Sequence, residues 1–193
     1  MATEFELKYR ATPELLEQIR AAFPGGYVFI PMATTYFDTP QGDLGLRRWT
    51  LRHRREGERE VCTLKTPAPG GARGEWEVDC ADIHEAVGVL AEKSGMAELS
   101  ELARGDLTAT CGARFDRQAL LLEKEDFSAE LALDVGFLMN GEKAAPFAEA
   151  ELELKAGSRE ALVAFGEAFQ ARFGLEVQPL SKFARARALE QEG

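Results

Sequence analysis

Ionisable side chains recur in this chain at every second position. Glu4, Glu6 and Lys8 open the series, followed by Arg52 and Arg54, by Glu75, Glu77 and Asp79, by Glu130 and Asp134, and by Glu149, Glu151, Glu153 and Lys155. On an extended strand, spacing two places side chains on one face, so paired glutamates there present carboxylates suited to one or two hard cations. Cations are concentrated too. Between Arg47 and Arg73 stand eight lysines and arginines against three glutamates, in a chain whose formal charge is −10. Arginine favours bidentate contacts with phosphate and lysine point-charge contacts. Together they suggest a site for a polyanion with a divalent metal. A single such strand reads more readily as the solvated outer face of an ordinary antiparallel sheet, and the recurrence across the set shifts the balance toward the site. The stretch Gly70-Gly71-Ala72-Arg73-Gly74 lacks the pattern of a phosphate-cradling loop, so side chains must do the binding.

The elements that carry these residues read as strands interrupted by a few helices. Residues 3–10 alternate as a strand, and Thr12-Pro13 starts a helix with the stripe Leu15, Leu16, Ile19 and Phe23. Residues 27–37 form a strand, 51–55 and 59–66 a hairpin, and 74–80 another strand. Asp82 caps a helix carrying Ile83, Ala86, Val87 and Leu90, and a short helix follows over 98–104. Strands are expected at 107–115, 119–126, 128–138 and 147–156, then a helix capped by Ser158 and a last helix over 181–190. Each helix needs an apolar surface, and Phe5/Leu7/Tyr9, Trp76/Val78, Leu131/Leu133 and Ala150/Leu152/Leu154 supply it. The ionised faces then point away from the helices. In a sheet curled on itself they line a charged interior, which is costly unless hydrated or filled by a charged ligand with metal.

Composition narrows the class. With 193 residues and 45% apolar positions, the chain is expected to form one domain, 1–193, with a sizeable core. Its acidity argues against nucleic-acid and membrane partners, and the absence of a signal-like start or long apolar run suggests a cytoplasmic protein. Cys62, Cys80 and Cys111 have no metal or redox spacing and read as small hydrophobes. Two histidines, His53 and His84, leave a histidine-ligated metal without support, so carboxylates should hold any metal. Oligomeric state is not legible.

The ordered series Glu4-Phe5-Glu6-Leu7-Lys8, Tyr36-Phe37-Asp38-Thr39-Pro40, Leu51-Arg52-His53-Arg54, Thr63-Leu64-Lys65, Glu75-Trp76-Glu77, the Arg114 strand, Glu130 to Asp134, Glu149 to Lys155 and Ser181-Lys182 resembles the CYTH superfamily, the triphosphate tunnel metalloenzymes. The resemblance covers essentially the whole chain. It implies an α+β fold, an eight-stranded antiparallel β tunnel with a charged interior and helices packed outside. It also implies Mg²⁺- or Mn²⁺-dependent cleavage or cyclisation of a triphosphate. Carried over, Glu4, Glu6, Glu151 and Glu153 are the metal carboxylates, and Glu4, Glu6, Lys8 and Glu153 the catalytic set. Lys8, Arg52, Arg54, Lys65, Arg114, Lys182 and Arg185 are the phosphate clamp. Glu75, Glu77, Glu130 and Asp134 stand behind them, orienting cations or pairing with neighbouring bases. Inorganic tripolyphosphate is the first expectation for the substrate, with thiamine triphosphatase, class IV adenylyl cyclase and a noncatalytic polyphosphate or nucleotide binder as alternatives. The cyclase ranks lower because only three residues precede the E-x-E-x-K pattern, where cyclases often carry a His-Phe pair.

Overall fold

Period-two alternation becomes one large antiparallel sheet. The computed structural model describes residues 2–3, 5–67 and 73–189. In chain order the elements are β1 (Ala2–Thr3), β2 (Glu6–Arg10), α1 (Pro13–Ala22), β3 (Val28–Asp38), α2 (Asp43–Leu46), β4 (Thr50–Glu56), β5 (Arg59–Pro67), β6 (Arg73–Asp79), α3 (Ile83–Ser94), α4 (Ala97–Leu102), β7 (Thr108–Glu123), β8 (Phe127–Asn140), β9 (Lys143–Gly157), α5 (Arg159–Phe173), β10 (Glu176–Val177) and α6 (Lys182–Ala188). The sheet order is β1-β6-β5-β4-β3-β7-β8-β9-β2-β10.

The expected tunnel of eight strands is corrected in two respects. Among the described residues eight strands have five residues or more, two-residue strands extend both ends to ten, and the ends do not pair, so the sheet is open. The reason lies at the N-terminus: Ala2 and Thr3 pair with Glu75 and Gly74 at one end of the sheet, while Glu6 to Arg10 pair with β9 near the other. Among the described residues no ladder joins these two ends. The outer edge of β2 is taken by β10 and that of β6 by β1.

Local signals set the helices. Thr12, Asp82, Ser158 and Ser181 each accept a backbone N–H of the first turn, as N-caps do. Two apolar clusters cover the outer face. Leu16 and Ile19 of α1 with Leu162 and Phe169 of α5 pack on Tyr9, Leu131, Leu133 and Leu152, and α3 and α4 pack on Leu51, Cys62 and Leu64. A third cluster lies on the concave face, where Ala186 and Phe183 of α6 meet Met32, Tyr36, Cys111 and Phe115. The last helix is therefore seated inside the curl.

The strands expected at 107–115 and 119–126 are one, the sixteen-residue β7, because Asp116 and Gln118 point outward while Arg117 finds Asp134 across the ladder. Residues read as a turn after β3 contain α2, organised by the buried Asp38 carboxylate, which accepts the N–H groups of Thr39, Leu44 and Gly45 at 2.8–2.9 Å. Cys62 and Cys111 are buried and Cys80 half-buried, all as free thiols. No helix among the described residues is long and apolar enough to cross a membrane.

Candidate active site

Cross-strand register assembles the ionised residues in rows on the concave face. Glu6 stands opposite Glu153, and Glu153 opposite Glu130, while Lys8 faces Glu151, and Asp134 lies between Glu149 and Arg117. From the other half of the sheet come Arg52 and Arg54 on β4, Lys65 on β5, and Glu75 and Glu77 on β6. They enclose a cavity of about 870 Å³ whose lining includes eight lysines and arginines against seven glutamates. Among the described lining residues the two signs are nearly balanced, in a protein whose formal charge is −10.

The two walls differ. On β8 and β9, Arg117 makes a bidentate pair with Asp134 at 2.8 and 2.7 Å and reaches Glu151 at 2.6 Å. Lys182, the first residue of α6, contacts Asp134 at 2.8 Å, Glu151 at 2.9 Å and also Glu149. Burial works against these charges, yet the surrounding carboxylates hold the pKa of both cations above its ordinary value. Burial likewise opposes the Glu151 charge, but Lys182 and Arg117 keep its pKa well below the ordinary range. Closer to solvent, Lys8 pairs with Glu6 at 3.0 Å and Lys155 with Glu153 at 2.8 Å.

On the opposite wall Arg54 has fewer carboxylate partners among the described residues. Arg52 reaches Glu75 at 3.3 Å and Glu77 at 3.6 Å, Lys65 reaches Glu75 at 3.0 Å, and the buried Arg52 Nε has no hydrogen-bond partner among the described residues. Arg54 donates to Thr34 Oγ1 at 3.1 Å, and its nearest carboxylate is Glu56 at 3.5 Å. Burial, reinforced by the charge of Arg52, pulls the Arg54 pKa down. Buried cations short of carboxylates are suited to an anionic ligand.

The sequence-expected residues divide accordingly. Glu6, Lys8, Arg52, Arg54, Lys65, Glu75, Glu77, Glu130, Glu151, Glu153 and Lys182 line the cavity. Glu4 lies outside the described residues. Asp134 is fully buried beneath the lining, held by Arg117 and Lys182. Arg185 is bound to Glu149 and lies over the Phe147 ring, away from the lining. Arg114 is corrected outright: its register opposite Phe137 and Ala33 puts it on the convex face, exposed to solvent. The arginine that β7 turns inward is Arg117, which the sequence reading missed. The signal was parity, because Cys111, Ala113, Phe115, Arg117 and Ala119 form one buried set with a single charge in it. Trp49 and Trp76 pack in the cluster under α3 and α4.

The sequence profile of the CYTH domain matches residues 2–186, nearly the whole chain. The chain belongs to the CYTH family. Among curated CYTH relatives, an inorganic triphosphatase of Haemophilus influenzae is 29% identical over 173 residues, covering 86% of this chain and 49% of that protein. The chain thus spans about half the length of the relative it matches. Among solved structures, HpAC1 of Hippeastrum, a candidate adenylyl cyclase described as having a dominant triphosphatase activity, superposes with a TM-score of 0.67 at 22% identity, covering 97% of this chain and 96% of that one. PH1819 of Pyrococcus horikoshii does so with a TM-score of 0.64 at 20% identity, covering 98% and 99%. These likenesses establish the CYTH fold.

CYTH membership raises the question of a divalent cation, and two carboxylate groups bear on it. Asp134, Glu149 and Glu151 bring ligand oxygens within 4.8 Å of one another, but Lys182 touches all three and Arg117 and Arg185 neutralise them further. The row Glu6, Glu153 and Glu130 is different, with side chains 30%, 28% and 28% exposed and lysines as neighbours. An all-carboxylate, partly hydrated donor set fits a hard cation such as Mg²⁺ or Mn²⁺.

Proposed function

We propose that this protein is a divalent-metal-dependent triphosphatase acting on inorganic tripolyphosphate. The observation that carries the reading is Arg54, a buried guanidinium beside Arg52 whose nearest carboxylate stands 3.5 Å away, facing a wall rich in glutamate. A linear triphosphate with its cation is complementary to such a cavity, phosphate toward β4 and β5 and metal toward β2 and β9. The matched inorganic triphosphatase supports the choice of reaction. Tyr36 and Phe183, the aromatic rings among the described lining residues, pack on each other with centroids 4.9 Å apart, which favours a substrate with no ring to stack over thiamine triphosphate or ATP.

In this reading Arg52, Arg54, Lys65 and Lys8 bind phosphate oxygens, with Lys182 and the newly recognised Arg117 at the deep end. Glu6 and Glu153 hold the cation, joined by Glu4 and Glu151, while Glu130, Glu75 and Glu77 orient the cations around them. A divalent ion bound there supplies Lewis acidity and lowers the pKa of a bound water. The basic side chains stabilise charge on the phosphoryl oxygens as the bond to the leaving phosphate or diphosphate breaks, and Glu153 is the candidate to accept the water's proton.

Phosphate release from tripolyphosphate, ATP and thiamine triphosphate, each with Mg²⁺, Mn²⁺ or EDTA, tests this. Turnover of tripolyphosphate that EDTA abolishes is expected, together with its loss in Glu6→Gln at unchanged Tm. Cyclic AMP from the ATP arm would assign a cyclase, and tight binding without turnover a binding module.

A further inference from the structure

Along β4 the positions facing the cavity read Thr50, Arg52, Arg54 and Glu56, so a carboxylate follows two arginines at the same spacing. Glu56 is the last residue of β4, opposite Met32 of β3 and Arg59 of β5, where the chain turns into the next strand. Its two oxygens bridge two different cations. Oε1 accepts from Arg54 Nη1 at 3.5 Å and Oε2 from Arg59 Nη1 at 3.4 Å. Both distances exceed the usual range of about 2.7–3.2 Å, so neither arginine holds the carboxylate firmly. The two cations stand in different settings. The Arg54 side chain is 12% exposed and otherwise donates to the Thr34 hydroxyl, whereas Arg59 is 53% exposed and is anchored by Asp79 at 2.7 Å.

A loosely held carboxylate beside a buried guanidinium does for Arg54 what a phosphate oxygen would do better. In the free protein it offsets part of the cost of burying that charge. A phosphate arriving at Arg54 shares Nη1 with Glu56 and is repelled by it, because like charges a few ångströms apart destabilise each other. Turning toward Arg59 relieves the repulsion and keeps the carboxylate paired, closer to solvent. We infer that Glu56 sets the affinity of the site: it competes with phosphate for Arg54 and moves onto Arg59 when phosphate binds. The inference rests on Arg54 being part of the phosphate clamp in the proposed function, and it assigns Glu56 and Arg59 roles beside that clamp.

Titration calorimetry of the full chain with Mg²⁺ and a hydrolysis-resistant triphosphate, NH replacing each bridging oxygen, tests this without depending on turnover. Glu56→Gln should tighten binding about three- to tenfold, because it removes the competing charge at nearly constant size. Glu58→Gln removes the same charge from the exposed turn outside the cavity lining and should change the dissociation constant by less than about twofold. Arg59→Gln should weaken binding in the wild type and much less in Glu56→Gln, since Arg59 acts through the carboxylate it receives. Far-UV circular dichroism checks that each variant is folded. Unchanged or weaker binding in Glu56→Gln would overturn the inference, weaker binding marking a residue that orients Arg54. So would an equal gain from Glu58→Gln, which reduces the effect to net charge, or an equal loss from Arg59→Gln in both backgrounds. Failure of every form to bind would sink the proposed function as well, whereas binding tightened by Glu56→Gln without turnover of tripolyphosphate would sink the triphosphatase reading alone.

Discussion

Arg54 and Arg117 carry the same charge on the walls of the same cavity, yet their surroundings predict opposite responses to mutation. Arg117 is clasped by Asp134 and Glu151, with Glu130 at 3.7 Å. Arg117→Met leaves buried carboxylates uncompensated and should lower stability by about 3–5 kcal/mol, read as a drop in the urea midpoint. Arg54 has a burial cost and little to offset it. Arg54→Gln should therefore keep or raise Tm while raising KM for tripolyphosphate about tenfold or more, as loss of a charge-assisted contact of roughly 1.5–3 kcal/mol implies. If Arg54→Gln unfolded the protein and left KM alone, its place in the phosphate clamp would be lost. Arg52 and Arg54 were legible from spacing. Arg117 was not, because Asp116 and Gln118 on either side disguise it as part of a polar break.

At the scale of elements, the position of β2 decides where Glu6 and Lys8 stand, and α5 sets that position. The contact is close: a Cβ on Gly166 would meet Leu7 Cδ1 and would lie 2.6 Å from Tyr9 Oη. Glycine here lets the helix approach the strand. Gly166→Val should force them apart, at about 1–3 kcal/mol for overpacking, offset only in part by the higher helix propensity of valine over glycine. Turnover should fall by more than the folded fraction does, because β2 carries both glutamate and lysine into the cavity. Activity per folded molecule, measured beside the denaturation midpoint, checks this. The caps at Thr12, Asp82 and Ser158 could be read from sequence because N-capping is local. The union of 107–115 with 119–126 could not, since the partner that lets Arg117 stay in a strand, Asp134, is 17 residues away.

For the whole molecule, the buried ion network makes stability depend on pH. Lys182 and Arg117 depress the Glu151 pKa below its ordinary 4.5 despite burial, so the stabilisation is present above that value and is lost as pH falls through the depressed one. Burial pushes the neighbouring Glu149 the other way, so its protonation partly offsets the loss. The urea midpoint should fall as the solution is acidified below about 4.5, and Glu151→Gln should flatten the fall. An equally steep fall in that variant would move the effect elsewhere. The sequence by itself determined most of the strands, three of the helix caps, the split between apolar and ionised faces, and most of the described residues that line the cavity. Alternation and capping are local, and the family pattern is written in residue order. Tertiary structure alone decided that the sheet is open, that α6 sits inside the curl, and that Arg117 rather than Arg114 lines the cavity. It also decided that Asp134 and Arg185 are tied up in buried pairs. Those outcomes depend on which strand lies opposite which, and cross-strand register brings together residues far apart in the chain.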